Sequence, residues 1–116
     1  MHSLYNRSGE VIAYLHQNAI IHPDSFEVLG VVLGNCVFGP QAKLLGKFFH
    51  DKVYAFSGEL LAKKEQQPTS LPQRFNVSNC IKQAWQILTR IKEHVCPWVV
   101  EKEVWSNASL AEYLYV

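Results

Sequence analysis

Apolar and polar residues recur along the first half of the chain with a period of 16 or 17 residues. Four similar tetrapeptides, EVIA, EVLG, KLLG and ELLA, begin at residues 10, 27, 43 and 59. An apolar pair precedes each one, and the residues in between include Gly, Pro, Ser, Asn or Asp, which favour tight turns. Each unit is therefore predicted to be a β-hairpin, made of a short strand, a turn and a longer strand.

Four hairpins in sequence also predict how the sheet is arranged. A repeated supersecondary unit does not bury its apolar face alone, and a single hairpin is marginally stable in water. Four hairpins can bury their apolar faces together, and closure on themselves removes the exposed sheet edges. We predict that residues 3–64 form an up-and-down antiparallel meander of about eight short strands.

The last position of the tetrapeptide is small in every unit. It is occupied by Ala13, Gly30, Gly46 and Ala62. A strand position restricted to Ala or Gly indicates close backbone approach or sharp curvature. We predict that these four residues define the fold and crowd one axis, where larger side chains would clash.

The residue before each tetrapeptide varies more. It is Gly9 in the first unit and Gly58 in the fourth, but Phe26 and Ala42 in the other two. Because glycine enters the left-handed conformation without a steric penalty, we expect the turns at Phe26 and Ala42 to have a different geometry.

The stretches LYNRSGEVIAYL and GNCVFGPQAKLLGKFFHDKVYAFSGELLA resemble the four-fold β-flower family of small bacterial proteins. The resemblance covers residues 3–64. It implies four hairpins around a pseudo-four-fold axis, and it implies no activity, since none is assigned to the family.

The second half of the chain has a different period. Residues 65–75 are mostly polar, contain two prolines and are predicted to be a surface linker. Residues 76–116 are predicted to form a helical C-terminal region, so that the whole chain is of the α+β class. Asn76 is the predicted N-cap of its first helix, and Pro97 is expected to end that helix near Val95 or Cys96.

One apolar stripe at helical spacing is expected to form the packing face of this helix. It consists of Val77, Ile81, Ala84, Leu88, Ile91 and Val95. Packing on the four hairpins is favoured over association with another copy, and both interpretations stay open. Residues 98–105 fit either a strand or a helix, and Ser109 and Glu112 have capping-box spacing before a short final helix.

Aromatic residues in this region are the candidate interaction surface. They are Trp85, Trp98, Trp105, Tyr113 and Tyr115. The aromatic end of the chain is too apolar to stay comfortably in water, so it should dock on its own domain or on a neighbouring subunit.

Composition changes this picture little. The chain has 116 residues and a net charge of +1, which gives no electrostatic argument for nucleic acid or for an anionic membrane. Its three cysteines are neither a disulfide framework nor a zinc signature. We therefore expect reduced thiols, a cytoplasmic location and no membrane span.

Candidate chemistry is sparse. His16 and His50 end strands in the first and third units and could form a symmetric metal site, but solvated turn histidines are the favoured interpretation. Glu10, Glu27 and Glu59 share one repeat position and could bind a cation, but Lys43 occupies it in the third unit, which favours a solvated rim. We therefore predict no metal site.

The sequence has none of the common nucleotide-binding or hydrolase motifs. We therefore expect no enzyme, no catalytic residue and no cofactor. The predicted role is a structural or interaction module that associates with itself, or with a protein partner, through the C-terminal region. The alternative is a small-ligand or ion-binding module that uses the hairpin axis or the pocket between the hairpins and the helix.

Overall fold

The computed structural model describes residues 1–91, 100–102, 104–106, 110 and 114. Within the described residues, eight strands and the helix α1 follow one another: β1 (His2–Tyr5), β2 (Val11–His16), β3 (Ala19–Ile21), β4 (Val28–Leu33), β5 (Cys36–Phe38), β6 (Leu44–Phe49), β7 (Lys52–Ala55), β8 (Leu60–Lys64) and α1 (Val77–Leu88). Each strand pairs with the next, and β8 pairs with β1 in antiparallel fashion. The predicted antiparallel meander and its closure are thus confirmed, as an eight-stranded barrel followed by a helix.

Strand register repeats in the four hairpins. In each of them the register shifts within the apolar pair of the first strand, as between Leu4 and Tyr5. The first residue of the pair lies opposite the small residue of the second strand. The four pairings are Leu4 with Ala13, Ile20 with Gly30, Val37 with Gly46 and Val53 with Ala62. All eight of these residues are buried.

Close backbone approach is visible at Gly30. A Cβ atom at this position would overlap the carbonyl oxygen of Phe38 on the neighbouring strand. Because that obstacle is backbone, it cannot rotate away as a flexible side chain could. The absence of a side chain at residue 30 is therefore a requirement of this strand pairing.

All four hairpin loops contain one left-handed residue, which corrects the expectation at Ala42, whereas the loop at Phe26 is one residue longer and differs in its hydrogen bonding. The φ angle is 81° at Gly9, 59° at Phe26, 61° at Ala42 and 89° at Gly58. In each loop the N–H of this residue donates a hydrogen bond to a carbonyl oxygen three or four residues earlier. Phe26 adopts the left-handed conformation while its ring packs edge-on against Phe75, with 5.9 Å between centroids. This packing helps to offset the local steric cost.

Apolar side chains form two main clusters. The inner core contains the barrel residues that face the small positions, such as Leu4 and Ile20, together with Leu110 and Leu114 from the end of the chain. The outer core lies between α1 and strands β3 to β5, and includes Val31 and Phe38. Leu110 and Leu114 therefore pack on the barrel of their own chain.

Helix α1 begins as predicted but ends earlier. Its N-cap is Asn76, whose side-chain oxygen accepts a hydrogen bond from the Asn79 N–H at 3.0 Å. The helix ends at Leu88 and not near Val95. Its last turn tightens, because the N–H groups of Arg90 and Ile91 donate to carbonyl oxygens three residues earlier. Among the described residues, no helix is long and apolar enough to cross a membrane.

The packing face of α1 is rotated from the predicted stripe. The residues that contact the outer core are Cys80, Ala84, Ile87, Leu88 and Ile91. Val77 and Ile81, which the stripe included, are exposed. The side chain of Gln83 accepts a hydrogen bond from the Val28 N–H at 3.0 Å, which helps to set the rotation of the helix against β4. Val95 lies outside the described residues.

Described residues beyond α1 make backbone contacts with the last hairpin of the barrel. Leu60 N–H donates to the Val104 carbonyl oxygen, and Ser106 N–H donates to the Leu60 carbonyl oxygen, both at 2.8 Å. Trp105 forms a parallel bridge with Leu60. Among the described residues of the stretch 98–105, which was left open between strand and helix, none is assigned as helix and Trp105 alone forms a β-bridge. The predicted final helix falls mostly outside the described residues.

Candidate functional site

A groove of about 170 Å³ lies where α1 meets the turn between β2 and β3. Its walls include His16 and Ala19 from the barrel, and Cys80, Ile81 and Trp85 from the helix. Most of these side chains are apolar, so the groove offers contact area and few directed hydrogen bonds. It lies at the junction where the sequence places the alternative ligand pocket.

His16 is the titratable side chain that the barrel contributes to this groove. Burial lowers its pKa below the ordinary value, and the positive charge of the chain's amino terminus adds to the effect. Its ring packs edge-on against Phe75, with 5.5 Å between centroids. At neutral pH His16 is therefore an uncharged imidazole, which can donate or accept a hydrogen bond.

The cysteines divide into two kinds. Cys80 is a free, buried thiol of the groove, and burial raises its pKa. It is therefore protonated at neutral pH and is a poor nucleophile. Cys36 in β5 takes part in a disulfide bond, which corrects the expectation of a reduced thiol at that position. A packing role fits Cys80 better than catalysis.

An exposed ridge runs along α1 beside the groove. We define the exposed ridge as Val77, Ile81 and Trp85, which are 36 %, 51 % and 65 % exposed. Their spacing of four residues places them in one row on the helix surface. Trp85 is both part of this row and a wall of the groove. The ridge and the groove therefore form one continuous apolar surface.

The predicted aromatic surface is only partly described. Trp85 is exposed on α1, whereas Trp105 is half-buried against Tyr54 and Leu60. The Lys63 ammonium lies 5.6 Å from the centre of the Trp105 ring. These two tryptophans thus have different surroundings. Trp98, Tyr113 and Tyr115 lie outside the described residues.

The repeat positions contribute packing and loop geometry. The residues opposite Ala13, Gly30, Gly46 and Ala62 are at most 1 % exposed and fill the inner core. The backbone carbonyls of Glu10, Glu27, Lys43 and Glu59 each accept a hydrogen bond within their own hairpin loop. Three of these four side chains are exposed and Glu59 is partly buried, which fits the rim interpretation.

His16 and His50 have separate neighbours. His16 packs against Phe75, whereas the His50 ring lies 3.8 Å from that of Phe49. Among the described residues, no group of three His, Cys, Asp or Glu side chains is placed to hold a metal ion.

The sequence contains a signal for the position of α1 on the barrel, in the apolar content of the strands that it covers. Strands β3, β4 and β5 are buried at nearly every residue, whereas β2 alternates between buried and more exposed positions. Their sequences, AII, VLGVVL and CVF, are uninterrupted apolar runs, which indicate a sheet covered on both faces. These runs mark the side of the barrel on which α1 packs.

Closure of eight short antiparallel strands, with α1 packed on the outside, defines a small β-barrel protein. The model of a family described as the 4-fold beta flower protein matches residues 2–114. The chain belongs to that family, and the match extends beyond the four hairpins to α1 and the residues that follow it. No curated protein and no solved structure matches the chain.

Proposed function

We propose that this protein is an interaction module that associates with a second copy of itself through the exposed ridge of α1. The observation that carries the proposal is the exposure of Val77, Ile81 and Trp85 in one row, next to an apolar groove. A contiguous apolar surface of this kind is typical of association sites. Tryptophan is also among the residues that contribute most to binding energy in protein interfaces.

A two-fold arrangement suits this surface. In a symmetric dimer the same patch is used by both subunits, so it must complement itself. The exposed ridge and the groove beside it supply a projection and a depression. Trp85 of one subunit can therefore fill the groove of the other, where Ile81 and Ala84 offer apolar contact. The opposite face of α1 is buried against its own barrel and does not take part.

A second part of the proposal concerns the internal symmetry of the barrel. We infer that the four hairpins surround a pseudo-four-fold axis. Support comes from the matching register shifts and from the positive φ angle repeated at Gly9, Phe26, Ala42 and Gly58. Helix α1 contacts β3 and β4, so it packs on one part of the barrel and does not follow this symmetry.

The cytoplasmic location and the absence of catalysis stay predictions.

Sedimentation velocity over a wide concentration range tests the proposal. The wild type is expected to form dimers as concentration rises, whereas Trp85→Glu is expected to stay monomeric. Gln86→Glu is the matched control, because it adds the same charge at the next exposed residue of α1 and lies off the ridge. A wild type that stays monomeric at the highest concentration, or a control as impaired as Trp85→Glu, would contradict the proposal.

Binding of a small apolar ligand in the groove is the second candidate function. It is favoured by the uncharged His16 among apolar walls. The volume of about 170 Å³ is below the range of about 300–1,000 Å³ that is usual for ligand sites, so only a small molecule fits. A ligand bound there raises the melting temperature, and Ala84→Leu, which fills the groove, is expected to abolish that rise.

A further inference from the structure

A second depression lies where the barrel closes, at the pairing of β8 with β1. We define this seam cleft by Tyr5, Lys52, Lys63 and Lys64, together with the polar residues that adjoin them. Its volume is about 440 Å³, within the range of about 300–1,000 Å³ that small-ligand sites occupy. Unlike the groove at α1, it is lined mainly by polar and charged side chains.

Strand register brings two lysines of the cleft face to face. Lys52 of β7 lies directly opposite Lys63 of β8. The adjacent residues Val53 and Ala62 belong to the inner core, so alternation along the strands turns both lysines to the outer surface. Like charges in directly opposed positions destabilise a sheet. The fold therefore holds an unfavourable pair that a bound anion would relieve.

The carboxylates of the cleft neutralise only part of the positive charge of its lysines. Lys64 is paired with Asp51, with 3.1 Å between the ammonium nitrogen and the carboxylate oxygen. Lys52 and Lys63 make no ion pair with any residue that the structure describes, and the Lys63 ammonium lies over the Trp105 ring. Glu65 is the other carboxylate of the lining and is exposed to solvent. Two half-buried lysine residues thus remain without an ion-pair partner on the described surface.

We propose that the seam cleft binds a small molecule that carries a diphosphate group, held between Lys52 and Lys63. Neighbouring strands are about 4.8 Å apart, so two linked phosphates can meet two lysines that lie opposite each other. A single monovalent anion would compensate only one of them. Lysine serves as a point charge for phosphate oxygens. Tyr5 lies opposite Lys63 on the other side of the seam, where its ring can support the organic part of the ligand.

Calorimetric titration of the full chain with inorganic pyrophosphate tests this site. The double variant Lys52→Gln/Lys63→Gln is expected to bind at least about tenfold more weakly than the wild type, because both charge-assisted contacts are lost. The matched control Lys43→Gln/Lys82→Gln removes the same charge from exposed lysines that do not line the cleft. It is expected to bind as the wild type does.

Thermal melting separates loss of the site from loss of the fold. The double variant removes a like-charge pair, so its melting temperature is expected to equal or exceed that of the wild type. If it melts lower, Lys52→Gln alone is titrated, with the same expected weakening of binding. Wild-type protein that does not bind pyrophosphate, or a double variant that binds it as tightly as the wild type, would overturn the proposal. Self-association uses α1, so sedimentation reports on it separately.

Discussion

One strand register and one left-handed residue recur in each of the four hairpins, whereas neighbouring residues of α1 differ sharply in exposure. In the barrel, each small residue faces the first member of an apolar pair, and each hairpin loop contains one left-handed residue. On α1, Ile87 is 6 % exposed while Trp85, two positions earlier, is 65 % exposed. The repeated positions of the barrel are used for internal packing. Helix α1 has no repeat, and it adds an exposed apolar surface on one side of the barrel.

This difference separates two uses of apolar residues. Apolar residues at repeat positions fill the inner core of the closed barrel and are not available for contacts with a partner. Those of α1 are shared between the outer core and the exposed ridge. Substitutions at repeat positions should therefore affect stability first, and substitutions on the ridge should affect association first.

The largest effect on stability is expected at Gly30. The substitution Gly30→Ala places a Cβ atom on the carbonyl oxygen of Phe38, and the strands must separate to admit it. We expect a loss of at least about 3 kcal/mol in the free energy of unfolding, the upper end of the range for overpacking. Urea unfolding of the two proteins measures it.

Gly9→Ala is the control for that substitution. Its added methyl group meets no atom within 4 Å, but its φ angle is 81°. The loss should be about 1–2 kcal/mol, from the left-handed backbone alone. Equal losses at Gly9 and Gly30 would show that close approach of the strands is not what restricts residue 30.

The next largest effect is expected where the end of the chain enters the barrel. Leu110→Ala removes a side chain that is almost fully buried in the inner core, and should cost about 2–5 kcal/mol. Val104→Ala is the control, since Val104 is 57 % exposed and its loss should lie within about 0.5 kcal/mol. Thermal melting of both variants is the measurement. A tolerated Leu110→Ala would mean that the barrel is complete without the end of the chain.

The smallest changes in the free energy of unfolding are expected for Ala→Gly substitutions at two repeat positions, and they should have opposite signs. Ala42→Gly relieves a left-handed alanine with φ of 61°, and is expected to raise the free energy of unfolding by about 0.5 kcal/mol after the entropy of the unfolded glycine is included. Ala13→Gly at a buried strand position should lower it by about 0.5–1 kcal/mol. Urea unfolding in parallel distinguishes them, and the same sign at both positions would contradict this account.

The barrel could be predicted because its signals are local and recur. The apolar pair, the turn residues and the small residue of each unit indicate strand order and closure from the sequence alone. The left-handed backbone at Phe26 was not predicted, because it is accompanied by packing on Phe75, which lies in a distant part of the sequence. Local preference alone therefore pointed to the wrong conformation.

The sites were less predictable than the fold. Periodicity identified α1 as amphipathic, but it did not distinguish which part of the apolar arc packs on β3 and β4. The side-chain contact between Gln83 and Val28 helps to make that choice, and it has no sequence signature. The pairing of Lys52 with Lys63 likewise depends on strand register, which shifts at a bulge between Val53 and Tyr54.

Closure at the seam also has a kinetic consequence. Each hairpin pairs residues that are close in sequence, and such pairs form within microseconds. Pairing of β1 with β8 joins opposite ends of the barrel sequence through two residue pairs, Leu4 with Lys64 and Tyr5 with Lys63. Its loop-closure entropy is therefore the largest in the barrel, and it should be the last strand pairing to form. A substitution that weakens only the pairing of β1 with β8 should then speed unfolding and leave the rate of folding nearly unchanged.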